Sequence, residues 1–190
     1  MVLDRRQMIM DAATKSFSLF GYKATTMDQV AKLANVGKGT IYTFFKNKEE
    51  LFDEIIKGLI LEMKAAADES FDHSLAFHEV VHRALYKMIE FRNKHQLMIK
   101  LFQEERDMGT PAVQEVIDKV ELTIINYIKE KLIDGVKRGD IQECDPELTA
   151  FMIIKLYISL IFDWEKKHAP LSKDEIAKIF KRFVIKGLSS

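Results

Sequence analysis

Cysteine is almost missing from this sequence: Cys144 stands alone, so no disulfide can form within the chain, and neither C-x-x-C nor another thiol-rich metal spacing exists. That usage suits a reducing compartment, and the cytoplasm is the expected location. Long apolar runs are missing as well. The longest, "FMIIKLYISLIF" at 151–162, is broken by Lys155 and is too short to span a bilayer. The opening "MVLDRRQMIMDAATKSFSLF" is interrupted by charge throughout, which excludes the apolar core of a signal peptide. Neither charge is in excess, with 29 basic and 29 acidic residues, so the molecule as a whole has no electrostatic preference for nucleic acid, membrane or acidic substrate. Repeats, low-complexity stretches, glycine-rich phosphate loops and catalytic-triad spacings are absent too.

What remains is a soluble-type composition. Of 190 residues, 47% are apolar and 31% charged, enough for one core or two small ones. Nearly all of it has helical period, so the expected fold class is all-α. Ile9, Ala12, Ala13, Phe17 and Phe20 recur at i, i+3, i+4 spacing. Asp4 is a candidate N-cap with Gln7 three residues on, and Gly21 stands where the helix would stop. "TMDQ" at 26–29 is a Thr-x-x-Gln capping box for a helix burying Val30, Ala31 and Ala34. Asn35 then suits a left-handed turn. "VGKGTIYTFF" at 36–45 buries Val36, Ile41 and Phe45, and "NKEE" at 47–50 opens a longer helix with a second box.

Helix, tight turn, helix is the DNA-reading unit whose second helix lies in the major groove, although an ordinary helical hairpin has the same periodicity. Charge separates the two readings. Residues 1–48 carry eight basic side chains against three acidic ones, net +5, leaving −5 for the remainder. A basic head on a neutral protein is the footprint of phosphate binding, where counterion release supplies much of the affinity.

The run "ATTMDQVAKLANVGKGTIYTFFKNKEELF", preceded by "AATKSFSLFGYKATT", resembles the tetracycline-repressor (TetR) family of bacterial regulators over about residues 5–56. The likeness rests on Phe20–Gly21, Thr25–Thr26, Val30–Ala31, Gly39, Tyr42, Phe45, Lys48 and Leu51. It implies a DNA-binding domain at 1–47 and a helical effector-binding and dimerisation domain at 48–190. It also implies DNA contacts from Thr26, Lys38, Gly39, Thr40, Tyr42, Thr43, Lys46 and Lys48. Residue chemistry agrees: a capped helix N-terminus, Tyr42 and Lys48 suit phosphate, while Lys38 and the threonines suit base edges. Two positions depart from the pattern. Gly37 replaces the usual serine cap, a change worth only a few tenths of a kcal/mol, and Phe44 stands where histidine or tyrosine is common.

Beyond the head, helices are expected at about 48–68, 74–93, 95–106, 111–137, 146–167 and 173–187. They are punctuated by Thr110–Pro111, Gly139, Asp145–Pro146 and Pro170 before a Ser172-x-x-Glu175 box. Phe91, Met98, Phe102, Tyr127, Phe151, Tyr157, Phe162 and Trp164 are the candidates for an effector pocket, and adaptable methionine favours a lipophilic ligand. The apolar faces of the last two helices are expected to form a homodimer interface with Leu156, Leu160, Ile176, Phe180 and Phe183, because a body of this size has little interior to bury them. "HEVVH" at 78–82 matches the H-E-x-x-H zinc-peptidase pattern, with Glu104 or Glu105 as a third ligand. The head upstream offers no sheet edge for a peptide, so an enzyme is not expected and no cofactor is implied. His78 and His82 keep a lesser alternative, metal or effector sensing. The reading as a whole is a repressor that binds a palindromic operator as a homodimer and is released by a small lipophilic effector. Its alternative is a DNA-binding regulator with no small-molecule effector.

Overall fold

A computed structural model describes residues 4–72, 75 and 77–188, apart from the side chains at 77, 78 and 92–94. Among the described residues all regular structure is helical: α1 Arg5–Phe20, α2 Met27–Leu33, α3 Lys38–Phe44, α4 Lys48–Asp68, α5 Phe77–Lys94, α6 Gln96–Met108, α7 Pro111–Arg138, α8 Pro146–Ile158 and α9 Lys173–Phe180. The expected start of α5 near residue 74 falls outside the described residues. The two C-terminal helices change pitch where single long helices are expected. α8 continues through a π-helical turn, Ser159–Asp163, and a 3₁₀ turn, Trp164–Lys166. α9 continues through a π turn, Lys181–Ile185, into α10, Lys186–Leu188.

The cap signals act locally. Asp4 accepts the Arg6 N–H. Thr26 with Gln29 and Ser172 with Glu175 form complete capping boxes, and Asp145 caps α8 ahead of Pro146. Two boxes expected from sequence close differently. Gln7 turns forward to Asp11 at 2.8 Å. Glu50, whose own N–H is capped by Asn47, reaches past the Asn47 N–H to that of Lys46 at 2.7 Å.

The chain divides into two compact units that do not follow the sequence order: Met1–Glu62 with Arg92–Asp118, and Met63–Phe91 with Lys119–Ser190. The first is built on α1. Ile9, Ala13 and Phe17 are fully buried, as are Val30 and Ile41, while Phe45, Phe52 and Leu101 complete the interior. The Phe52 ring lies 5.3 Å from that of Phe17, edge-on, and 4.5 Å from that of Tyr22. Each such ring stabilises the unit by about 1.5–3 kcal/mol through apolar burial, with a further contribution from ring geometry. Phe20 is a correction to the sequence pattern: it is exposed, because the core stripe of α1 ends at Phe17.

Among the described residues, the second unit holds two apolar clusters. Leu85 and Ile89 of α5 pack with Ile161, Ile176, Ala177 and Phe180, and Leu132 packs with Ile141, Ala150 and Leu188.

Candidate DNA-binding surface

The helix-turn-helix is set by four residues between α2 and α3. α2 ends at Leu33 and is capped by Ala34, whose N–H reaches Val30, and Asn35 takes the left-handed conformation at φ 53°. The Val36 N–H returns to the Ala31 carbonyl at 3.0 Å and the Asn35 N–H to that of Lys32 at 3.1 Å, so the turn satisfies two carbonyls of the last turn of α2. Gly37 then caps α3 by backbone alone: its carbonyl accepts from Thr40 and Ile41, and no side chain helps. Ile41 and Phe45, one turn apart, are buried and fix α3 by its inner face. The outer face carries what the sequence placed there. Lys38, Gly39, Tyr42 and Thr43 are exposed and Thr40 is half-buried.

Gly39 stands in open space, with nothing within 4 Å of where a Cβ would be. The Thr43 hydroxyl donates to the Thr40 carbonyl at 2.6 Å. Lys38 pairs with Asp28 at 2.8 Å, both ends in water, and this bond raises its pKa above the ordinary lysine value. Such an exposed pair contributes little to stability and is readily exchanged for phosphate or a base edge. Thr26 and Lys46 are exposed at the edges of the same segment.

Lys48 is placed differently from its neighbours. Its ammonium donates to the carbonyls of Tyr22 and Thr25, both at 3.0 Å, and lies 4.1 Å from the centre of the Tyr22 ring. Two of its three protons are therefore spent on the α1–α2 turn. The Tyr22 hydroxyl donates to Glu49 at 2.9 Å, and burial together with that carboxylate holds the phenol protonated far above its usual range.

The other sequence candidates divide. Ile176 and Phe180, expected in the dimer interface, are buried inside the second unit at 2% and 3% exposure, and Leu156 and Leu160 pack half-buried against the same cluster. Ile176 and Phe180 lie on the inner side of α9, and the two leucines on the flank of the C-terminal part of α8 and its continuation. Only Phe183 of the set points out, at 66% exposure. The outer stripe of α8 is instead Leu148, Phe151, Met152 and Lys155, a helical spacing the sequence reading passed over. Among the pocket candidates Phe91, Met98, Phe102 and Tyr127 are half-buried, and Tyr157 and Phe162 pack against the second unit's core. Phe151 and Trp164 are exposed; Trp164 stacks on His168 at 3.9 Å between ring centres.

In "HEVVH", Glu79 and His82 are exposed and line an open surface pocket with Arg83, Lys181 and Ile185. His82 stacks on Tyr86 at 4.4 Å, and the side chain of His78 lies outside the described residues. Among the described residues no group of three or more His, Cys, Asp or Glu is placed to hold a metal ion. Glu104 is occupied elsewhere, accepting hydrogen bonds from the first turn of the head.

A three-helix head whose third helix, α3, is pinned by Ile41 and Phe45 and turns its other face to solvent has the architecture of a helix-turn-helix DNA-binding regulator. Residues 9–55 match the sequence profile described as "Bacterial regulatory proteins, tetR family", and residues 75–188 match "Tetracyclin repressor-like, C-terminal domain". The chain is 65% identical over its whole length, and the whole length of the relative, to the uncharacterized HTH-type transcriptional regulator YhgD of Bacillus subtilis (strain 168). Among solved structures it resembles the SmeT–triclosan complex, with TM-score 0.81 and 17% identity over 98% of this chain and 92% of that one. It also resembles FadR of Bacillus subtilis in complex with stearoyl-CoA, with TM-score 0.74 and 21% identity over 91% and 96%. The chain belongs to the TetR family of transcriptional regulators. No helix among its described residues is long and apolar enough to cross a membrane.

Proposed function

We propose that this regulator is a cytoplasmic repressor that binds a palindromic operator as a homodimer through Thr26, Lys38, Gly39, Thr40, Tyr42, Thr43 and Lys46, and is released by a lipophilic effector. Gly39 is the observation that carries the DNA-facing part. A glycine in a helix is less favourable than alanine, here by the lower part of the roughly 0.5–1 kcal/mol range because Gly39 lies in the first turn, and no neighbouring segment crowds this one. The cost is offset if a phosphate or base edge comes against the bare backbone.

Dimerisation is supported by the outer stripe of α8, with Met152 at 61% exposure, and by Phe183. A two-fold operator needs two heads held about one turn of DNA apart. The lipophilic class of effector is supported by likeness to folds that hold stearoyl-CoA and triclosan. Release requires only that the effector bind the two conformations with different affinity.

The test begins with a duplex selected by the purified protein from random-sequence DNA. The selected site should be palindromic, and light scattering should give twice the 22.0 kDa chain mass. Stearoyl-CoA or triclosan should dissociate the complex at micromolar concentration. An asymmetric site bound by a monomer overturns the dimeric operator. Release by neither compound, with no apolar molecule found by mass spectrometry of the denatured protein, overturns the lipophilic effector in favour of a regulator without one.

A further inference from the structure

Glu104 is a charged side chain that neither the DNA-facing surface nor the body's core explains. It lies on α6, far along the sequence from the head, and is only 4% exposed. A carboxylate so buried must have its lone pairs filled, and the partners are specific. One oxygen accepts the Tyr22 N–H at 2.6 Å, and the other accepts the Lys23 N–H at 2.9 Å and the Thr110 hydroxyl at 3.0 Å.

Gly21 is fitted to this carboxylate. Its φ is +87°, which side chains disfavour, and a Cβ there would sit 2.4 Å from the Glu104 Oε2. The opposite polarity of the same turn is taken by Lys48, which holds the Tyr22 and Thr25 carbonyls. The Thr25 hydroxyl closes the loop onto the Gly21 carbonyl at 2.8 Å and meets Ser16 at 3.0 Å. An anion from α6 thus takes the turn's N–H groups while a cation from α4 takes its carbonyls. One residue later Thr26 caps α2, so the pose of this turn sets where the helix-turn-helix begins. α6 falls in the same compact unit as the head.

We propose that Glu104 is a positioning residue for DNA binding: through the α1–α2 turn it fixes the orientation of α2 and α3, and α6 is thereby part of the DNA-reading unit. Glu104 need not touch DNA to do this. The inference rests on DNA binding by the head, and the experiment separates the two.

Full-length protein carrying Glu104→Gln keeps the size of the side chain. It sets an amide NH₂ against one of the two backbone N–H groups, so one bond is lost and a donor faces a donor. Affinity is measured well below the thermal midpoint for the duplex selected by the native protein and for a random duplex of equal length. Ile161→Val, in the other compact unit, serves as the control for lost stability. The expected result is a loss of roughly tenfold or more for the selected duplex, the scale of a lost hydrogen bond to a charged group. Affinity for random DNA should stay within about twofold, because the basic face is intact. Hydrogen exchange at Tyr22 and Lys23 should accelerate ahead of α3. Mere instability would lower both affinities together, as in the control.

If Glu104→Gln does not fold, Thr110→Val decides, since it removes one bond to the same carboxylate and should lower the specific affinity by a few fold. Unchanged discrimination between the two duplexes in the folded variant overturns the proposal. Failure of the native protein to select any duplex removes the DNA-binding reading and this one with it.

Discussion

Replacing Gly39 with alanine should make the protein more stable and a worse DNA binder, two effects that an ordinary helix position would not separate. Gly39 follows the first residue of α3, faces no side chain or other segment within 4 Å of where a Cβ would stand, and does not have a positive φ. The added methyl therefore meets neither neighbours nor backbone strain, and it removes conformational freedom from the unfolded chain. That gain is about 0.4–1 kcal/mol at sites the new residue adopts without strain. The position lies in the first helical turn, so the lower end of the range is expected. For a chain of this size the thermal midpoint should rise by about 1–3 °C. On DNA the same methyl occupies the gap through which the backbone approaches. Affinity for the selected operator should fall by roughly tenfold or more, since overpacking a tight contact costs about 1–3 kcal/mol. Calorimetry and fluorescence anisotropy on the same preparation provide the two readings. A variant that binds operator as tightly as the native chain would refute the claim that Gly39 is held open for DNA, and a lowered midpoint would refute the packing argument.

Phe183→Glu together with Met152→Glu should give a folded monomer by light scattering, while Phe180→Glu should unfold the second unit, because it buries an unpaired charge inside the chain; the reverse pattern would place the dimer on the inner face. Tyr42→Phe should weaken all duplexes alike, by about 1 kcal/mol for one lost hydrogen bond, without changing base preference; operator binding that is unaffected would remove Tyr42 from the phosphate contacts. Asp68 has a pKa held below its usual value, first by the hydrogen bond from Tyr127 and then by Lys131. A carboxyl depressed in the folded state contributes stability above its unfolded pKa and loses it as pH falls through the folded value. Urea midpoints should therefore decline as the solution is acidified through and below the ordinary aspartate range, and Asp68→Asn should flatten that decline; an identical pH profile in the variant would refute it.

The head was legible in the sequence because its signals are local. A capping box needs only residues three apart, Asn35 and Gly21 announce their backbone conformations by type, and the i, i+4 pair Ile41 and Phe45 fixes which side of α3 faces inward. That left the opposite side, with Lys38, Gly39, Tyr42 and Thr43, exposed to solvent as the surface proposed to meet DNA. In α8 periodicity could not choose, since the helix is apolar nearly all round and Ile154 and Met152, on opposite sides of it, are both apolar. Only tertiary packing buried the first, at 6% exposure, and left the second at 61%. The role of Glu104 was invisible for a different reason. Beside Glu105 on an amphipathic helix, Glu104 reads only as a candidate third ligand for the "HEVVH" histidines, and two of its three partners are backbone N–H groups some eighty positions earlier, which carry no sequence mark except the glycine at 21. The carbonyls of Tyr22 and Thr25 that Lys48 holds were hidden in the same way, since the resemblance implies only a phosphate contact at that position. Local chemistry determined the helices and which face of α3 is left to solvent, whereas the choice between equivalent apolar faces and the partners of buried charges were decided by contacts between segments far apart in the chain.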